Sequence, residues 1–172
     1  MSSWPPRSSS ILVALASCGP PEAATSTTVE PGHTAIADLD TLTEEWGCGN
    51  GFYVGNPGQT SALRLQFTGN ELTETEIDLP DPAWSGQLIH GTNLYANWCD
   101  DVIEANEPTP MEHETITIVG GHLSIVGEIP EPFAGGTLVV EATDLEVALP
   151  DGTTAVLGDI TITNRAWGVF AG

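Results

Sequence analysis

The sequence predicts an all-β domain, an antiparallel β-sandwich of about nine to eleven short strands stapled by one disulfide. Three features carry that expectation. Short runs of alternating apolar and polar residues recur along the 172-residue chain. Gly, Pro, Asn and Asp punctuate them at regular spacing. Two cysteines, Cys48 and Cys99, remain to pair once a third is accounted for.

The elements follow in order. Ile36, Leu39 and Leu42 are spaced by three, which suggests either a helical turn or an irregular first strand. Trp46-Gly47-Cys48-Gly49-Asn50-Gly51 is a glycine-rich turn text, and Phe52-Tyr53-Val54 suits a strand. Leu63-Arg64-Leu65-Gln66-Phe67 alternates strictly, with the three apolar residues on one face. Gly69-Asn70 predicts a turn into a return strand, Leu72 to Leu79. Its Glu74, Glu76 and Asp78 would then lie across from Arg64. Ser85 to His90 reads as a further strand, Gly91-Thr92-Asn93 as a turn, and Leu94 to Trp98 leads into Cys99.

The second half is richer in strand text. Thr115 to Val119 and His122 to Val126 flank Gly120-Gly121, which reads as a turn. Thr137 to Leu149 is a long strand-forming run expected to bend or break near Asp144. Asp151-Gly152 between alternating runs is a hairpin signal. Thr153 to Leu157, Asp159 to Thr163 and Trp167 to Phe170 complete the strands.

Ahead of the domain, Arg7 precedes the apolar run Ile11 to Ala16, and Leu15-Ala16-Ser17 places small residues before Cys18. A charged start, an apolar middle and a small-residue cleavage site make a secretory signal. Leu15-Ala16-Ser17-Cys18 resembles the lipobox of bacterial lipoproteins. The resemblance implies cleavage before Cys18 and a diacylglyceryl group on its sulfur. A run of about six or seven residues is too short to span a bilayer, so attachment would rest on acyl chains such as palmitate. Gly19 to Gly32 is rich in Pro, Thr and small residues, a tether composition. The expected organisation is therefore a signal peptide at 1–17, a flexible tether at 18–33 and a β domain at 34–172. The expected location is the extracytoplasmic face of a bacterial membrane.

Export makes the cysteine count informative. With Cys18 lipidated, Cys48 and Cys99 form an even pair in an oxidising compartment. The chain-entropy model gives a staple closing a loop of this size at most about 4 kcal/mol. The texts Trp-Gly-Cys-Gly and Asn-Trp-Cys-Asp-Asp are similar to those of exported proteins from high-GC bacteria, a likeness that carries no activity.

The charge balance excludes whole classes of partner. All 24 acidic residues follow Cys18, against Arg64 and Arg165 and no lysine, a net of −22 for that part. Nucleic acid and anionic headgroups would be repelled, since phosphate neutralisation needs Lys and Arg. Such acidity also resembles secreted proteins of marine or salt-tolerant bacteria, where salt screens self-repulsion.

The disulfide should gather Trp46, Tyr53, Trp98, Asp100 and Asp101, with Glu104 nearby. Trp46, Trp98, Asp100, Asp101 and Glu104 are the candidate binding residues. Their carboxylates could hold a hard cation such as calcium, although no calcium-loop spacing is present, and no cofactor is otherwise expected. Trp46, Trp84, Trp98 and Trp167 pack the domain or offer a stacking platform for a sugar or a peptide. His33, His90, His113 and His122 lack metal-site spacing and read as surface residues, so no metal ligand is nominated. No catalytic set stands out: Gly-x-Ser-x-Gly is absent, as is any lysine. The leading expectation is a lipid-anchored binding or structural module with an envelope partner. The alternative is a carboxylate- or metal-dependent hydrolase of envelope polymers.

Overall fold

Each alternating run has one apolar face to remove from water, and antiparallel pairing lets consecutive runs do so on a common side. In the computed structural model, which describes residues 39–69, 71–100, 105–130 and 134–169, eight strands satisfy this condition. They are β1 (Glu44–Cys48), β2 (Gly51–Gly55), β3 (Ser61–Phe67), β4 (Glu76–Leu79), β5 (Trp84–Thr92), β6 (Met111–Val126), β7 (Gly136–Ala148) and β8 (Thr154–Trp167). A short 3-10 turn, Leu39–Thr41, precedes them. All strand pairs are antiparallel, in the order β1-β2-β3-β5-β6-β7-β8, with β4 added beside β6. The sheet curls into a half-barrel.

Strand β6 makes the curl possible. Residues up to Thr117 pair with β5, and residues from Ile118 onward pair with β7 and β4. Gly120-Gly121, expected to turn the chain, instead bends a continuous 16-residue strand. The register shifts on both sides of Gly120, and Gly121 adopts φ +123°, a backbone that disfavours any side chain. A Cβ there would also lie 3.0 Å from the Leu145 Cα. A β-bulge of this kind adds bend and twist without ending the ladder. Gly158 does the same within β8, with φ +107°. That is why eight strands, three of them long, stand where more numerous short ones were expected. The break foreseen near Asp144 is a bulge in β7, with Asp144 at φ 51° and its N–H donating to Asp159 Oδ1 at 2.9 Å.

The expected hairpin between β3 and the following acidic strand does not form. Both edges of β3 are occupied, by β2 and β5, so β4 crosses to the other half and pairs with β6. Ile77 thereby enters the core at 3% exposure. The Asp151-Gly152 hairpin does form, with Asp151 Oδ1 accepting from the Thr153 N–H at 2.9 Å.

One main core fills the concave side. Phe52, Leu63, Leu65 and Leu88 from the first half meet Leu123, Leu138, Val140, Leu145 and Ile162 from the second. Each such side chain contributes about 1.5–3 kcal/mol when fully buried. The two ends of the sheet are tied together. Gly49 N–H donates to the Val169 carbonyl at 2.7 Å and Gly168 N–H to the Gly49 carbonyl at 2.9 Å. Glu45 Oε2 accepts from the Thr163 N–H at 3.0 Å, a side chain serving the edge of β8.

Candidate functional site

Residues directly opposite on neighbouring strands share a face of the sheet. Trp46 opposes Tyr53, Tyr53 opposes Arg64, Arg64 opposes Gln87 and Gln87 opposes Thr117. These five residues thus form one row across β1, β2, β3, β5 and β6, on the side away from the main core. In β2 the alternation explains it: Phe52 and Val54 join the main core, so Tyr53 points outward.

The segment after β5 folds back over this row. Leu94 is fully buried in a second cluster with Ala62 and Ile89, flanked by Tyr95 and Trp98. The Leu94 N–H donates to the Gln59 carbonyl at 3.1 Å, and the Tyr95 hydroxyl donates to the Asn56 carbonyl. The Cys48–Cys99 disulfide then fixes the end of the segment to β1, as the sequence led one to expect.

Four aromatic rings converge as a result. Trp46 lies 4.2 Å from Tyr95, 5.6 Å from Tyr53 and 5.9 Å from Trp98 between centroids, and Tyr53 meets Trp98 edge-on at 5.4 Å. Two glycines make room. A Cβ on Gly51 would fall 2.1 Å from the Tyr53 hydroxyl, and one on Gly55 would fall 2.3 Å from Tyr95 Cε1. The Tyr53 and Tyr95 rings occupy the space that side chains at those two positions would fill. Tyr53 is buried beneath, whereas Trp46, Tyr95 and Trp98 remain partly in solvent.

The guanidinium of Arg64 sits 5.2 Å from the centre of the Trp98 ring. Its Nε donates to Gln87 Oε1 at 3.1 Å, Nη2 donates to the same oxygen, and Nη1 lies 3.5 Å from Glu112 Oε1. Arg64 is held on three sides, which corrects the expected pairing with the acidic strand. Burial raises the Tyr53 hydroxyl pKa, partly offset by Arg64, and burial with the nearby Glu44 charge raises that of Tyr95. Both phenols stay protonated at neutral pH, and that of Tyr95 donates to the Asn56 carbonyl.

Of the residues nominated from sequence, Trp46 and Trp98 are brought together here, and Asp100 lies exposed just beyond the disulfide. Asp101 and Glu104 lie outside the described residues, as do Cys18 and the tether. Among the described residues no three His, Cys, Asp or Glu side chains converge as a metal ion requires. The tryptophans divide: Trp84 and Trp167 pack in the main core at 7% and 6% exposure. Tyr53 stands with Trp46 and Trp98 as the staple was expected to place it. Arg64, Gln87, Tyr95 and Glu112 were not nominated. The outward phase of Arg64 was readable, but its adjacency depends on strand order.

The Glu face of β4 has a different partner. His122 Nδ1 bonds Asp78 Oδ1 at 2.8 Å and Nε2 bonds Glu76 Oε2 at 2.7 Å, with Ser124 Oγ donating to Glu76 Oε1 at 3.1 Å. Hydrogen bonds to both carboxylates raise the His122 pKa, and His122 and Ser124 lower that of Glu76. His90 is half-buried rather than on the surface, with Nδ1 3.0 Å from Ser61 Oγ.

No protein-family model, no curated protein and no solved structure matches the chain.

Proposed function

We propose that this chain is a lipid-anchored protein of the bacterial cell envelope, displaying a disulfide-stapled β domain as a binding module. One observation carries the reading. The Cys48–Cys99 bond uses two of the three cysteines and leaves Cys18, directly behind Leu15-Ala16-Ser17, as the odd one. A disulfide belongs to an oxidising compartment. An acyl-bearing cysteine followed by a Pro- and Thr-rich tether would hold the domain off the membrane surface. The half-exposed rings and the pinned arginine beside the staple supply a face fit for recognition.

The test is metabolic labelling of the full chain in a bacterial host. Palmitate incorporation that disappears in Cys18→Ala, and a precursor that accumulates under globomycin, are the expected results. Processing indifferent to globomycin, with no label on Cys18, would sink the reading.

A further inference from the structure

We propose that the outward face around Trp46, Trp98 and Arg64 binds a neutral saccharide. The inference rests on reading the domain as a binding module and names the class of ligand. A pyranose presents apolar C–H groups on its faces and hydroxyls around its edge. Binding it requires exposed aromatic surface flanked by a few fixed polar groups. Trp46, Tyr95 and Trp98 supply the rings, each partly in solvent. Arg64 lies beside Trp98, with Gln87 and Glu112 bound to it, and the three supply donors and acceptors together.

The polar groups are already oriented. Arg64 is clamped by Gln87, Glu112 and the Trp98 ring, and the loop carrying Trp98 is clamped by the disulfide. Little conformational freedom is left to lose on binding, which favours affinity.

Charge selects neutrality. A chain of formal charge −21 repels anions. The positive charge of Arg64 is matched by Glu112, so the face offers no net attraction to a carboxylate or phosphate. A cationic ligand would find the Trp98 ring already facing a guanidinium. A hydroxyl-rich, uncharged molecule meets neither obstacle.

The experiment is a titration of the full chain, in a non-glycosidic detergent, with cellohexaose, maltohexaose and chitohexaose, followed by tryptophan emission. With Trp4→Phe in the protein used, and Trp84 and Trp167 buried in the main core, a change on binding reports Trp46 and Trp98. At least one sugar should give a saturable change. Trp98→Ala should weaken it by about tenfold or more. Glu112→Ala, an exposed position, should weaken it by about threefold or more with the circular dichroism unchanged. No saturable change with any of the sugars, binding unaffected by both substitutions, or tighter binding of anionic hexagalacturonate would each overturn the proposal. If palmitate labelling of Cys18 persists in that event, the ligand class fails and the envelope reading stands.

Discussion

Asn164 on β8 is fully buried and donates through Nδ2 to the Gly51 carbonyl at 2.7 Å, across 113 residues of sequence. Its Oδ1 accepts from the Ala166 N–H at 2.8 Å, and Gly49 O lies 3.4 Å from the same Nδ2. One amide therefore locks the end of the sheet to the turn between β1 and β2, next to the staple. Asn164→Ala would remove both of these side-chain hydrogen bonds from a buried position, at about 1–3 kcal/mol in all. Urea unfolding should show a lower midpoint with an unchanged slope.

Gly47 faces that amide. A Cβ there would fall 2.4 Å from Asn164 Cγ and 2.6 Å from the Gly51 carbonyl oxygen. Backbone cannot yield as a flexible side chain can, so Gly47→Ala should destabilise by about 1–3 kcal/mol. Combined with Asn164→Ala, the loss should be less than additive, because the two residues share one contact. A double-mutant cycle in urea measures it.

Gly55→Ala acts on the aromatic face instead. The new methyl would lie 2.3 Å from the Tyr95 ring and must displace it from Trp46. Near-ultraviolet circular dichroism should lose intensity while the far-ultraviolet strand signal remains. An unchanged near-ultraviolet spectrum would mean that the rings do not lie on that glycine.

Removing the staple tests the same region from the other side. The bond closes a sequence separation of 51 residues. Cys48→Ser with Cys99→Ser should cost up to about 4 kcal/mol, less whatever structure the unfolded chain retains. Trp98 should become more accessible to a neutral quencher, with the two core tryptophans protected as before.

The His122 clamp sets a pH dependence. Its folded pKa is raised above the ordinary 6.5, so its contribution is complete below that value and is lost as pH rises through the folded pKa. Glu76 is lowered from its ordinary 4.5, so its contribution is present above that value and is lost as pH falls through the folded pKa. The link from β4 to β6 should be strongest between these two ordinary values. A histidine proton titration by NMR should place His122 above 6.5, and the small stability maximum should vanish in His122→Gln.

The β class was legible because alternation is a local property. Leu63, Leu65 and Phe67 declare their buried face without reference to any partner. The disulfide was legible from parity once Cys18 was set aside. Pairing was not. Leu72 to Leu79 looks like the return strand of a hairpin, yet β3 had no edge to offer it. Gly120-Gly121 looks like a turn because glycine permits both a turn and a bulge, and the choice depends on what lies on either side. The aromatic site shows the same limit. Trp46 and Trp98 were visible through the neighbouring cysteines, whereas Arg64 and Gln87 join them only because β2, β3 and β5 lie in that order.

The most direct measurement is intact-mass analysis of the protein extracted from bacterial envelopes, followed by non-reducing peptide mapping. The expected product begins at Cys18, carries a thioether-linked diacylglyceryl group there, and holds Cys48 joined to Cys99. An unmodified Cys18, or a Cys18 disulfide-bonded to either of the other two, would contradict the reading of an anchored, stapled module.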